Sequence, residues 1–201
     1  MKSAFKFLTL GFIVINLISC TVVTAKNVPG RKIDSFPLDI IGNYVVEFPK
    51  DFAAIMEGED KNKMYITFKS NSIIIKDKEG ETETSLGDSL YFSMIGTNYY
   101  LSFGEEPEIS LFKLVKNRKS ILLYPMYARE NVTEEELSKY FTSVVSTSEA
   151  SDDSVGMSTS SYSVTIDETK LEAYFKSDIP LKDAYILKKK KNKFICLSDS
   201  F

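Results

Sequence analysis

"SLYFSMIGTNYYLSF", Ser89 to Phe103, decides the fold of this chain. Leu90, Phe92 and Met94 share one face before the Gly96-Thr97-Asn98 connection, and Tyr99, Leu101 and Phe103 share one face after it. A repeat of two is the strand period. Glycine and asparagine in a short connection between two such runs is a hairpin signal. The stretch therefore predicts two antiparallel strands.

The same grammar extends in both directions. Upstream, "GNYVVEF" sets Tyr44, Val46 and Phe48 on one face, "MYITF" does so with Met64, Ile66 and Phe68, and "SIIIK" is a β-branched run suited to a buried strand. Lys76 to Glu81 is a polar turn. Downstream, "EISLFKLV" alternates, "KNRK" turns it, and "SILLYPM" returns. Strands recurring every 8 to 14 residues between polar connections predict an antiparallel meander, a strongly bent sheet or small barrel.

The pattern changes after Tyr127. In "NVTEEELSKYF", Thr133 and Glu136 have capping-box spacing, with Val132 and Leu137 at the staple positions. Leu137, Tyr140, Phe141 and Val144 make one stripe, which predicts a helix from Glu134 to Val145. Nine serines between Ser143 and Ser163, without periodicity, predict a long loop. Asp167 can cap a second helix, "ETKLEAYFKS", with Leu171, Tyr174 and Phe175 inward and Pro180 beyond its end. "DAYILK" reads as a closing strand, followed by the basic run Lys188 to Lys191. The expected class is mainly β with two short helices (α+β).

The amino end carries a different message. Lys2 and Lys6 precede an apolar run, Phe7 to Ile18. That is a secretory-signal pattern and too short to span a bilayer as a helix. It closes on Leu17-Ile18-Ser19-Cys20, which resembles the lipobox of bacterial lipoproteins. The resemblance implies cleavage between Ser19 and Cys20, a diacylglyceryl group on the Cys20 thiol, and acylation, palmitate among the chains, of the new amino group. It also implies attachment to a membrane. Thr21 is not aspartate and Thr21 to Asn27 carries no acidic cluster, which points to an outer membrane and its periplasmic face. The expected organisation is a signal peptide at 1–19, a lipidated N-terminus and tether at 20–35, and one β-rich domain at 36–201 with the serine-rich loop at about 143–163.

Composition narrows the chemistry. Loss of the leader removes two lysines and no acid, so 23 basic and 28 acidic residues remain, a net charge of −5. That balance argues against a nucleic-acid partner. With Cys20 lipidated, Cys196 is the remaining cysteine and has no disulfide mate. The chain has no histidine, which removes Ser-His-Asp and Cys-His catalysis and every histidine-containing zinc site. The acids group as Glu57/Glu59/Asp60, Glu105/Glu106/Glu108 and Asp152/Asp153, each in an expected loop beside other charges, so they read as solvated surface. The expectation is no enzyme, no catalytic residue, no metal and no cofactor.

Tyr91, Phe92, Tyr99, Tyr100, Phe103 and Phe112 form the densest aromatic group and the candidate binding surface. "IIGNYVV", with Gly42 and Tyr44, resembles the glycine-x-aromatic opening strand of lipocalin-like barrels, although tryptophan is usual where Tyr44 stands. The expected role is a lipid-anchored, non-catalytic envelope module binding an envelope protein. The alternative is a lipocalin-like carrier of a small apolar ligand.

Overall fold

A computed structural model describes residues 21–49, 64–78, 80–147 and 161–190. The Ser89–Phe103 stretch folds as its alternation requires. Strands Leu90–Ile95 and Asn98–Glu105 pair antiparallel, from Ile95 opposite Asn98 to Leu90 opposite Phe103. Gly96 takes φ +60° at the first central position of the two-residue turn, a conformation that the missing Cβ makes cheap.

In chain order the strands are β1 (Thr21–Ala25), β2 (Arg31–Lys32), β3 (Gly42–Glu47), β4 (Tyr65–Phe68), β5 (Ser72–Asp77), β6 (Gly80–Ser85), β7 (Leu90–Ile95) and β8 (Asn98–Glu105). There follow β9 (Glu108–Lys116), β10 (Ser120–Pro125), β11 (Tyr127–Ala128), β12 (Phe141–Ser146), β13 (Ser161–Ile166) and β14 (Tyr185–Lys189). Helices α1 (Glu134–Ser138) and α2 (Glu168–Lys176) flank β12 and β13. The described strands form one sheet in the order β12-β13-β1-β9-β10-β14-β3-β4-β5-β6, with β8, β7 and β2 following from the other edge of β9 and β11 lying on β1. The sheet is antiparallel apart from the β1–β13 pair, in which Val22 to Ala25 run beside Ser161 to Val164. It curls strongly into a half-barrel. The mainly-β class with two short helices and a strongly bent sheet is what the structure shows.

Alternation along β7, β8 and β9 divides the interior into two cores. Phe92, Leu101 and Leu114 face the hollow of the half-barrel, where Phe36, Tyr44, Phe68 and Ile73 meet them. Tyr100, Ile109 and Leu111 face the opposite layer, built from β1, β13, α1 and α2 with Val23, Leu137, Leu171 and Tyr174. The three strands are thus buried on both sides.

Three expectations need correction. The segment 20–35 is no simple tether. Thr21–Ala25 is a strand inside the sheet, with Val23 and Ala25 buried, and Val28 is buried behind it. Arg31 and Lys32 pair with Met94 and Ser93. The physical weight in this segment lies in the β-branched residues of "TVVTA". The first helix is also shorter than predicted. It ends at Ser138 and gives way to β12, because Val144 and Val145 are stiff at χ1 and pair with Val164 and Ser163 of β13. The same strands narrow the serine loop, since Ser143 to Ser146 and Ser161 to Ser163 are sheet residues. The remainder of that loop lies outside the described residues.

Candidate functional site

Ser19 and Cys20 lie outside the described residues, as does Cys196. Their nearest described neighbour, Thr21, is buried and sits opposite Ala128. Arg129 continues from Ala128 and donates its backbone N–H to the Ile179 carbonyl at 2.8 Å.

The six aromatic residues of the predicted binding surface do not share one. Phe92, Tyr99, Phe103 and Phe112 belong to the half-barrel side, whereas Tyr91 and Tyr100 face the helical layer. Phe92 and Tyr99 stack with centroids 5.2 Å apart. Phe103 meets Phe112 edge-on at 5.9 Å, and Phe112 meets Tyr185 at 6.2 Å. Phe36 packs on Phe68 at 5.2 Å and on Phe92 at 4.9 Å. These contacts fill the space between the strands with rings rather than lining a hollow with them.

On the helical side, Ser93, Tyr100 and Ser102 are fully buried, and their hydroxyls have no hydrogen-bond partner among the described residues. Burial pushes the Tyr100 phenol well above its ordinary pKa, and the Glu172 carboxylate adds to the rise. Glu172 is itself held by Lys113, at 2.7 and 2.8 Å from the two carboxylate oxygens. The Lys113 ammonium also sits 5.8 Å from the Phe175 ring centroid. A cleft of about 300 Å³ opens beside this pair, with Tyr124, Pro180, Leu181 and Lys182 on its wall. Its cations are already engaged, Lys113 with Glu172 and Lys182 with the Phe175 and Ser177 carbonyls. The two lysines on its wall are therefore spent on contacts within the fold.

Charge is sorted along β9. Of the acid clusters, Glu105, Glu106 and Glu108 are exposed on the turn between β8 and β9, while Glu57/Glu59/Asp60 and Asp152/Asp153 lie outside the described residues. Among the described residues no cluster of acids, cysteines or histidines is placed to hold a metal ion. Nor is any described helix long and apolar enough to cross a membrane. At the other end of β9, Lys116, Arg118 and Lys119 surround the turn into β10, all exposed. Ser120 pairs with Lys188, and Lys189 donates its backbone N–H to the Lys119 carbonyl at 3.3 Å. This register sets the β9–β10 turn beside Lys188, Lys189 and Lys190.

Comparison with known proteins returns no relative. No protein family matches the chain, and no curated protein or solved structure matches it either.

The basic rim thus stands as the most distinctive surface of the fold. Lys116 donates to the Asp39 carboxylate, which this bond holds below its usual range. Lys188 pairs with Glu47 at 2.6 Å. Lys190 lies 5.0 Å from the Tyr65 centroid and Lys189 lies 6.0 Å from that of Tyr44. Leu38, beside Asp39, is 89% exposed, the most exposed large apolar side chain described. Sequence reading noted the Lys188 to Lys191 run but took "KNRK" as a mere turn and passed over Leu38. Their meeting depends on the pairing of β10 with β14, two strands about 65 residues apart in the chain, and no local pattern announces it.

Proposed function

We propose that this chain is a lipid-anchored, non-catalytic envelope protein whose half-barrel is a binding or interaction module, attached through a lipid on Cys20 and set on the periplasmic face of an outer membrane. The lipobox-like run Leu17-Ile18-Ser19-Cys20 behind the apolar leader carries the reading. Cleavage between Ser19 and Cys20 would remove that leader and keep every residue the structure describes. Two or three acyl chains at that point would hold the domain firmly, since one chain alone binds only marginally. The ring contacts among Phe36, Phe68, Phe92 and Tyr99 on the half-barrel side favour a module acting through its surface over a carrier acting through an interior hollow.

Replacement Cys20→Ser tests the anchor. The expected result is loss of the lipid mass in intact mass spectrometry, an uncleaved leader and loss of the mature form from the membrane fraction. A variant that still matures, with the same mass shift and fractionation as the parent, would overturn the proposal.

A further inference from the structure

We propose that the basic rim of the half-barrel docks on anionic lipid headgroups of the same bilayer that holds Cys20. The inference rests on the anchored reading and adds an orientation to it. Six exposed cations converge there, Lys116, Arg118 and Lys119 at the β9–β10 turn and Lys188, Lys189 and Lys190 at the end of β14. Two of them are neutralised within the fold, Lys116 by Asp39 and Lys188 by Glu47. The rest leave a surplus of positive charge at one end of the sheet. The opposite end of β9 carries the acidic turn of Glu105, Glu106 and Glu108. The sheet is therefore an electrical dipole along β9, and a negatively charged surface orients it with the lysines inward.

Direction agrees with the anchor. β1 and β9 are antiparallel where Ala25 faces Ile109. From that pair, Thr21 and Lys116 are reached by moving in the same sense along the sheet. Thr21, bonded directly to Cys20 in the sequence, and the basic rim thus lie toward the same side of that pair. Leu38 decides between lipid and other polyanions. An exposed leucine among lysines suits the boundary between headgroups and acyl chains, where the apolar group is buried and the ammonium groups meet phosphates. A polyanion without an apolar layer, such as a phosphate backbone, would leave that side chain in water. Each rim cation strengthens attraction to an anionic leaflet roughly fivefold at low salt.

The chain has no tryptophan, so one indole introduced by mutation reports its own distance from the membrane. The test places full-length lipidated protein in phosphatidylcholine vesicles containing a dansyl-labelled lipid, with and without about a third phosphatidylglycerol. Asn117→Trp probes the basic turn and Glu105→Trp the acidic one, roughly 26 Å apart along an extended β9. Energy transfer from Asn117→Trp should exceed that from Glu105→Trp severalfold in the anionic vesicles. Adding Arg118→Glu and Lys119→Glu should shrink the difference while the protein still floats with the vesicles. Equal transfer from both probes in floating protein overturns the orientation and leaves the anchor standing. If intact mass shows no lipid, the anchor reading fails, and salt-sensitive flotation on phosphatidylglycerol vesicles then decides the rim by itself. Binding to heparin with no flotation on such vesicles assigns the rim to another polyanion and overturns the proposal.

Discussion

Tyr100 occupies a costly position: its ring fills the layer under α2 while its buried hydroxyl, near the Glu172 carboxylate, lacks a well-formed hydrogen bond among the described residues. A buried polar group without a hydrogen bond loses its hydration for nothing in return. Tyr100→Phe keeps the ring and removes the orphan, so it should leave stability unchanged or raise it by about 1 kcal/mol, read as a higher urea midpoint at unchanged slope. Gly104 is the opposite case. It takes φ +114°, and a methyl there would land on the Glu108 carbonyl oxygen. Gly104→Ala should cost more than about 1 kcal/mol in the same titration, because strain and clash add. Glu136 gives the pH dependence its sign. The Thr133 backbone N–H, at 2.9 Å, and then Arg129 hold its carboxyl below the ordinary range. The stabilisation is present above the unfolded-state pKa and is lost as pH falls through the folded-state one. Glu136→Gln should therefore lose less stability than the parent between about pH 6 and about pH 3, measured as urea midpoints against pH.

At the scale of elements, caps were legible and lengths were not. Thr133 accepts from the Glu136 backbone N–H at 3.2 Å, and Glu136 returns the bond to Thr133, so the capping box stands as the spacing predicts. Asp167 likewise accepts from Thr169 at 3.0 Å and starts α2, with Leu171 and Tyr174 buried. A cap is written in four consecutive residues, and its hydrogen bonds are local. The end of α1 is not local. Phe141, Val144 and Val145 carry apolar spacing compatible with either helix or strand, and the register of Phe141 opposite Ile166 settles the matter from 25 residues away. Thr133→Ala should cost about 1 kcal/mol, seen as a lower thermal midpoint, with β12 retained because its ladder does not depend on the helix. The aromatic group fails as a site for a related reason. Tyr91 and Phe92 are adjacent, as are Tyr99 and Tyr100, and adjacent strand residues point to opposite faces. Density along the chain was mistaken for proximity in space.

Across the whole molecule the decisive element is β1. It pairs with β13 on one edge and with β11 and β9 on the other. In the described sheet it joins β12 and β13 to the rest. Alternation over residues 36–127 announced the half-barrel because each strand there pairs largely with a sequence neighbour. The place of "TVVTA" could not be read the same way, since its parallel partner β13 lies about 139 residues downstream and its sequence sits directly behind an apolar leader. The consequence is testable by shortening the chain. A protein beginning at Cys20 keeps Thr21–Ala25, with Val23 and Ala25 packed in the helical core and Val22 buried as well. A protein beginning at Ala25 gives up Val22 and Val23, leaves β13 without a neighbour on that edge, and removes apolar side chains worth roughly 1.5–3 kcal/mol each when fully buried. A domain of ordinary stability has about 5–15 kcal/mol in total, so the loss takes a large share of it. The first protein should unfold in one cooperative transition. The second should show no such transition for the helical layer, with amides of β12 and β13 exchanging freely with solvent. Equal stability of the two would mean that β1 is dispensable and that residues 21–24 act as a linker after all.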